Sequence, residues 1–165
     1  MGRIDYVHAP DAPPANSVVP SVVAFVQNDA GRVLMIQRSD NGRWALPGGG
    51  RDVGESISDT VVREVWEETG IKSEVVNLSG IYTDPGHVMP YDDGEVRQQF
   101  SICFRARPAG GELRTSYGTT QVRWVDPSLD PWSRQLRYVP LGVPACEFSI
   151  FVRDVVAASS SPARV

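Results

Sequence analysis

Lysine is almost missing from this sequence: Lys72 is the only one among 16 basic side chains. The other fixed positive charges are arginines, whose planar fork suits carboxylate and phosphate oxygens. Cysteine is scarce too. Cys103 and Cys146 stand far apart with no metal-type spacing. A lone bridge is one alternative, but reduced thiols in a cytosolic compartment are the simpler reading. The two histidines, His8 and His87, do not share ligand spacing. No apolar run is long enough to span a membrane, and "MGRIDYVHAPDAPPANS" lacks an apolar core of signal-peptide length. The expectation is a cytoplasmic protein with no membrane partner. A net charge of −4 argues against a nucleic-acid face built on bulk charge, so no nucleic-acid partner is expected.

What is present is ordinary for a folded chain: 165 residues, 41% hydrophobic and 22% charged, enough for one domain with a proper core. Residues 1–17 are rich in Pro, Ala and Asp and read as an N-terminal arm with the composition of a disordered segment. Residues 18–157 form the expected domain, and 158–165 a flexible tail. "VVPSVVAFVQ" and "VLMIQR" read as strands joined through "DAGR" into a hairpin over 18–38. "SDNGRWALPGGGRDVGE" reads as a long glycine-rich loop. Ser56 and Asp59 suit a capping box, Ile57, Val61 and Val65 an apolar helix stripe, and Gly70 the residue that ends the helix. "EVVNLSGIYT", "RQQFSICFRARP" and "TQVRWVD" read as further strands, "DPGHVMPYDDGEV" (84–96) as a polar loop, and 127–157 as one or two helices.

The helix carries an anomaly. In "REVWEETGI", Glu64, Glu67 and Glu68 lie three and four residues apart and so share one sector. Arg63 can pair with Glu67, but nothing at this spacing neutralises Glu64 and Glu68 together. Like charges at this distance cost roughly 0.2–0.5 kcal/mol per pair, and a helix C-terminus disfavours anions. A solvated acidic face is the bland reading. A divalent cation is the sharper one, because clustered carboxylates with carbonyls and water are what a hard ion takes. Gly48, Gly49 and Gly50, just upstream, let a backbone approach a phosphate closely.

From Gly49 to Ile71 the order is Gly, five residues, Glu55, seven residues, Arg63-Glu64-Val65, one residue, Glu67-Glu68, one residue, Gly70-Ile71. This resembles the Nudix box of the Nudix hydrolases at each fixed position, and "RWALPGGG" resembles its usual lead-in. The resemblance implies an α/β fold, a Nudix-type α/β/α sandwich with a mixed central sheet. It also implies a metal-dependent hydrolase that cleaves a diphosphate bond in a nucleoside diphosphate derivative, of nucleotide-sugar type or a nucleoside triphosphate. It carries metal ligation onto Glu64, Glu67, Glu68 and the Gly48 carbonyl, with Mg²⁺ as cofactor and Mn²⁺ as an alternative. Arg63 becomes the residue that orients the acids, Glu55 a support at the site edge, and Gly49 and Gly50 part of the substrate-binding loop. Glu64 is one candidate for the general base. Asp52 stands where a glutamate is common. Many relatives also carry a glutamate shortly before the late-strand Trp, and "GTTQVRW" has none.

An auxiliary acid is therefore expected from Asp92, Asp93 or Glu95 in the 84–96 loop, with Glu95 as the alternative base; Glu112 is a poorer candidate. Arg38, at a strand end, and Tyr91 and Arg97, near the same loop, are candidate substrate contacts. Trp44 reads more simply as a packing aromatic, and Tyr82 and His87 as structural. A non-catalytic nucleotide-binding module is the alternative to an enzyme, though binding alone gives no reason to keep three repelling carboxylates together. A homodimer is left open.

Overall fold

The computed structural model describes residues 4–127. The helices expected over 127–157 and the 158–165 tail lie beyond Pro127, outside the described residues. Strands β1 (Tyr6–Val7), β2 (Ser21–Val26), β3 (Val33–Arg38), β4 (Trp44–Ala45) and β5 (Gly48–Gly50) precede helix α1 (Ile57–Thr69), and β6 (Ile71–Pro90), β7 (Val96–Gly111) and β8 (Thr119–Val125) follow it. They form a five-stranded mixed sheet, β1-β6-β7-β2-β5, and a three-stranded sheet, β4-β3-β8. The described part has the mixed central sheet and box helix of the Nudix α/β/α sandwich.

β2 explains why the core sits where it does. It pairs parallel with β7 and antiparallel with β5, and Val22 to Val26 are all buried. Val22, Ala24 and Val26 pack with Val61 and Val65 of the helix. Val23 and Phe25 face a second cluster with Val33, Met35, Leu46 and Cys103. A strand buried on both faces needs an unbroken apolar run, and "SVVAFV" supplies one.

The helix forms where its local chemistry dictates. The Ser56 hydroxyl accepts the Asp59 N–H and the Asp59 carboxylate accepts the Ser56 N–H, closing the box. Gly70, at φ 74°, turns left-handed and donates its N–H to the Trp66 carbonyl. With its end fixed there, the last turn presents its acids to β5.

Three expectations change. The 18–38 stretch is not a hairpin within one sheet: β2 and β3 belong to different sheets, joined by a single bridge, Gln27 with Val33. Residues 84–90 are strand, not loop. β6 runs to Pro90 against β7, absorbing Pro85 and Gly86 in a register shift between Asp84 and Val88, so the connection is a short turn between Pro90 and Val96. This shift is one of four along β6. Finally, residues 4–17 lie on the domain. Tyr6 and Val7 pair with Val88 and His87, and the buried Asp5 carboxylate stands 3.5 Å from His87 Nε2 and 3.8 Å from Arg43 Nη1. Ser17 bridges Arg97 in parallel, in the register that β2 keeps with β7. Among the described residues no helix is long and apolar enough to cross a membrane.

Candidate active site

α1 and β5 pack together, and the acids meet the glycines there. Glu68 Oε2 accepts the Gly48 N–H at 2.9 Å. A Cβ on Gly49 would lie 2.6–2.8 Å from the Glu64 carboxylate atoms. On Gly48 it would lie 2.2 Å from the Val22 carbonyl oxygen. Gly48 is thus demanded by the backbone of β2, and Gly49 by Glu64. Gly50 contributes its carbonyl, which accepts from Arg63 Nη2 at 3.1 Å.

Arg63 organises the cluster. Its Nε and Nη2 donate to the two Glu55 oxygens at 2.7 and 3.0 Å, and its Nη1 donates to Glu64 Oε1 at 3.0 Å and Glu67 Oε2 at 3.1 Å. Arg63 therefore reaches Glu64 as well as Glu67, one more acid than helical spacing alone suggests. Its hydrogen bonds hold the Glu55 carboxyl down to about 2, with the Asp52 N–H and Thr60 hydroxyl assisting. Glu55 in turn is the main reason that the Arg63 guanidinium is held above its ordinary range.

Glu64 and Glu68 differ from Glu55. Burial raises the Glu64 carboxyl, with Glu67 and Asp52 adding to the effect and Arg63 opposing it. Burial pushes the Glu68 carboxyl up to about 7. The charges of Glu64 and Glu67 add to that, while the Gly48 N–H and Arg38 oppose it. Glu68 thus holds a proton more readily than a free carboxyl does, and the Gly48 N–H and Arg38 support its ionised form.

The residue types fit a hard divalent cation: three crowded carboxylates lie beside a backbone that only glycine can form. As the side chains stand, no three acid, histidine or cysteine groups among the described residues converge on one point; Arg63 draws Glu64 and Glu67 to itself.

In front of the glycines lies a cleft, bordered by Gly48, Gly49 and Gly50, by Arg38, and on its far wall by Tyr91 and Arg97. The helix acids do not line it; Glu64 and Glu68 reach Gly49 and Gly48 from the helix side. Arg38 donates to both Asp40 oxygens, from Nε at 2.9 Å and from Nη2, and its nearness to Glu68 ties the cleft to the acid cluster. Deep in the cleft are the buried Gln99 and the linked hydroxyls of Ser21 and Ser101, 2.8 Å apart.

The structure does not poise Glu95 as a base. It is not among the residues lining the cleft. Its Oε1 accepts from the Ser17 hydroxyl at 2.6 Å, and its Oε2 from Arg97 Nε and Nη2, both at 2.7 Å. Those bonds, Arg97 first, hold its carboxyl below the ordinary range. Asp92 and Asp93 are exposed on the turn, and Asp93 accepts the Glu95 N–H. Glu112 is also exposed. Trp44 is half-buried against the second core cluster with Arg123 over its ring, and Tyr82 and His87 are buried. Sequence reasoning missed Asp40 and Ser17. Asp40 sits two residues past Arg38 and could have been read locally; Ser17 gave no signal, because its partner is 78 residues away.

The NUDIX domain family model matches residues 18–135. This chain belongs to the Nudix family. A MutT-like protein of Streptomyces ambofaciens is 42% identical over 116 residues, 70% of this chain and 68% of that protein. An ADP-ribose pyrophosphatase of Methanocaldococcus jannaschii is 33% identical over 114 residues, 64% of this chain and 60% of that one. The chain thus spans roughly two thirds of the length of these relatives. Among solved structures, a MutT Nudix hydrolase of Burkholderia pseudomallei superimposes with a TM-score of 0.57 at 26% identity, covering 70% of this chain and 88% of that one. In this Nudix chain the box helix, the glycine strand and the cleft are the candidate active site.

Proposed function

We propose that this Nudix protein hydrolyses the diphosphate bond of a nucleoside diphosphate derivative, a nucleotide sugar or a nucleoside triphosphate, with the help of Mg²⁺ or Mn²⁺. One observation carries the reading: Glu68, on one helix turn with Glu64 and Glu67, accepts the Gly48 N–H at 2.9 Å from a glycine strand that opens on a cleft. Glu64, Glu67, Glu68 and the Gly48 carbonyl would hold the ion. When bound, it neutralises phosphate oxygens and acidifies water.

The protein's own groups do the rest. The glycines let the diphosphate approach the backbone, and Arg38 meets its anionic oxygens from the cleft side. Glu64 takes a proton from the attacking water. Its raised carboxyl supports that role, whereas the Glu95 carboxylate is tied to Ser17 and Arg97. The water oxygen bonds to one phosphorus, and the bridging P–O bond breaks in line. The departing phosphate keeps the electron pair, its charge stabilised by arginine. Arg63 keeps Glu64 and Glu67 aligned throughout. A nucleotide substrate and a buried free Cys103, its thiol pushed up to about 12 by burial, fit a cytoplasmic setting.

The test is a panel of nucleoside triphosphates, nucleotide sugars and ADP-ribose with Mg²⁺ or Mn²⁺, against an EDTA control, in ¹⁸O-labelled water. The expected result is metal-dependent cleavage that places label on a nucleoside monophosphate or on its phosphorylated partner. Phosphate release from simple monoesters with diphosphates untouched, or turnover indifferent to EDTA, would overturn the reading.

A further inference from the structure

The far wall of the cleft is built differently from the catalytic side. It is the tip of the β6–β7 hairpin, and a chain of contacts runs through it. The Ser17 hydroxyl donates to Glu95 at 2.6 Å. Glu95 grips the Arg97 guanidinium through two donors at 2.7 Å. That guanidinium lies over the Tyr91 ring, 4.3 Å from its centroid, with Nη1 3.5 Å from the Tyr91 hydroxyl. Tyr91 and Arg97 both line the cleft opposite Gly48, Gly49 and Gly50.

The N-terminal arm fixes this tip from outside. Asn16 Nδ2 donates to the Gly94 carbonyl at 3.1 Å, and Asn16 Oδ1 accepts the Val96 N–H at 2.8 Å. The backbones of Asn16 and Ser17 add bonds to Val96 and Gln98. A hairpin tip by itself is among the first parts of a fold to open. Here two residues from the other end of the described chain bind it along the β7 side, from Gly94 to Gln98. Nothing in the acid cluster uses Ser17, Glu95, Arg97 or Tyr91, so this effort at the tip serves the cleft.

We propose that Ser17 and Glu95 are positioning residues that hold Arg97 stacked on Tyr91, and that this flat cation–aromatic pair takes the planar base of the substrate nucleotide. The inference rests on reading the site as a nucleotide diphosphatase and adds which wall meets the base. The fit is chemical. An aromatic ring and a guanidinium plane both stack on heterocycles, and neither needs a particular base edge. The distance across the cleft then separates two tasks: phosphate at the glycines, base at the hairpin. Glu95 acts only through Arg97, which is why it is placed as a positioning residue and not as the base.

Two measurements test this. The first is calorimetric titration, in Mg²⁺ buffer, with AMP, GMP, CMP and UMP and with ribose 5-phosphate. The wild type should bind at least one nucleoside monophosphate about tenfold or more tighter than ribose 5-phosphate, the scale of one stacked base. Tyr91→Leu should erase that preference, and Tyr91→Phe should keep it. The second is kinetics on the best substrate of the panel. Glu95→Gln should raise KM about five- to tenfold with kcat within about twofold, and Ser17→Ala should shift KM in the same direction by less, since Arg97 keeps both bonds to Glu95. A fall in kcat of about 10²–10⁴ in Glu95→Gln would make it the base and overturn the proposal. So would a wild type with no preference for base over bare ribose phosphate, or a Tyr91→Leu variant that keeps it. If the titration preference is present but no diphosphate is cleaved, the proposed hydrolysis fails while the base-binding wall stands.

Discussion

Replacing Glu68 with Gln should make the metal-free protein more stable and take away most of its activity. The Glu68 carboxyl stands at about 7 instead of 4.5, chiefly through burial. At about 1.4 kcal/mol per unit, that shift makes the ionised folded form roughly 3 kcal/mol less favourable. The side chain is only half-buried, so about 2 kcal/mol is a fairer figure. The sign follows from proton uptake. Between pH 4.5 and 7 the folded state holds the Glu68 proton more tightly than the unfolded chain does. Stability from this group is therefore complete below 4.5 and lost as pH rises through 7. Gln keeps the size and an oxygen for the Gly48 N–H, and it never ionises. In EDTA at pH 8 the variant should melt about 4–8 °C higher, at roughly 2–4 °C per kcal/mol for a chain of this size. At pH 5 the gap should shrink to about a quarter. Thermal melts at both pH values, with and without millimolar Mg²⁺, check this: Mg²⁺ should raise the wild type more than the variant. Equal melting temperatures in EDTA at pH 8, or a gap that ignores pH, would refute the account of crowded charge. Full activity of the variant at saturating Mg²⁺ would show that the box helix is not the metal site.

Other perturbations separate the parts of the site. Gly49→Ala should cost activity more than stability, because its Cβ strikes the end of the Glu64 side chain, which can swing away; melts and turnover read together check it. Gly48→Ala should instead destabilise the fold by about 1–3 kcal/mol or more, since its Cβ meets the backbone of β2. Arg63→Gln should lose most activity and lower stability, by releasing Glu55, Glu64 and Glu67 at once; Mg²⁺ titrations and urea melts measure both losses. Ser56→Ala removes the helix cap and should cost about 1 kcal/mol in urea melts while leaving the substrate ranking unchanged.

What the sequence made legible was what its chemistry settles within a few residues. Ser56, Asp59 and Gly70 cap α1 as expected, because caps depend on backbone groups three or four positions away. β3 was bounded correctly by its apolar run, Val33 to Ile36, and the turn before it. The acid cluster was visible because helical spacing alone puts the three glutamates together. Pairing over long distances was not visible. "DPGHVMP" has turn chemistry, yet partners on β7 draw it into a strand, with the mismatch taken up in the register shift after Asp84. β2 and β3 look like a hairpin until the parallel partner of β2, some 80 residues on, claims one edge. Glu95 was read as a free acid in a loop. In β7 numbering it stands two residues before Arg97, on the same side of an extended chain, and that alternation was open to a sequence reader. Asn16 and Ser17 were not, because short polar residues in a proline-rich stretch reveal nothing of a distant hairpin.

The repeated register shifts of β6 bear on how this protein behaves at high concentration. Apart from the two residues of β1, the outer edge of β6 has no strand beside it among the described residues, and Val76, Leu78 and Ile81 are exposed along it. A flat apolar edge of that kind invites a strand from another molecule and is a seed for aggregation. Each shift bends the strand and turns some of its N–H and C=O groups out of line. Between shifts the longest regular stretch is 80–84, five residues, too short to template an extended ladder. The bulges that fit one long strand to its partner also leave its exposed edge a poor surface on which a fibril could grow.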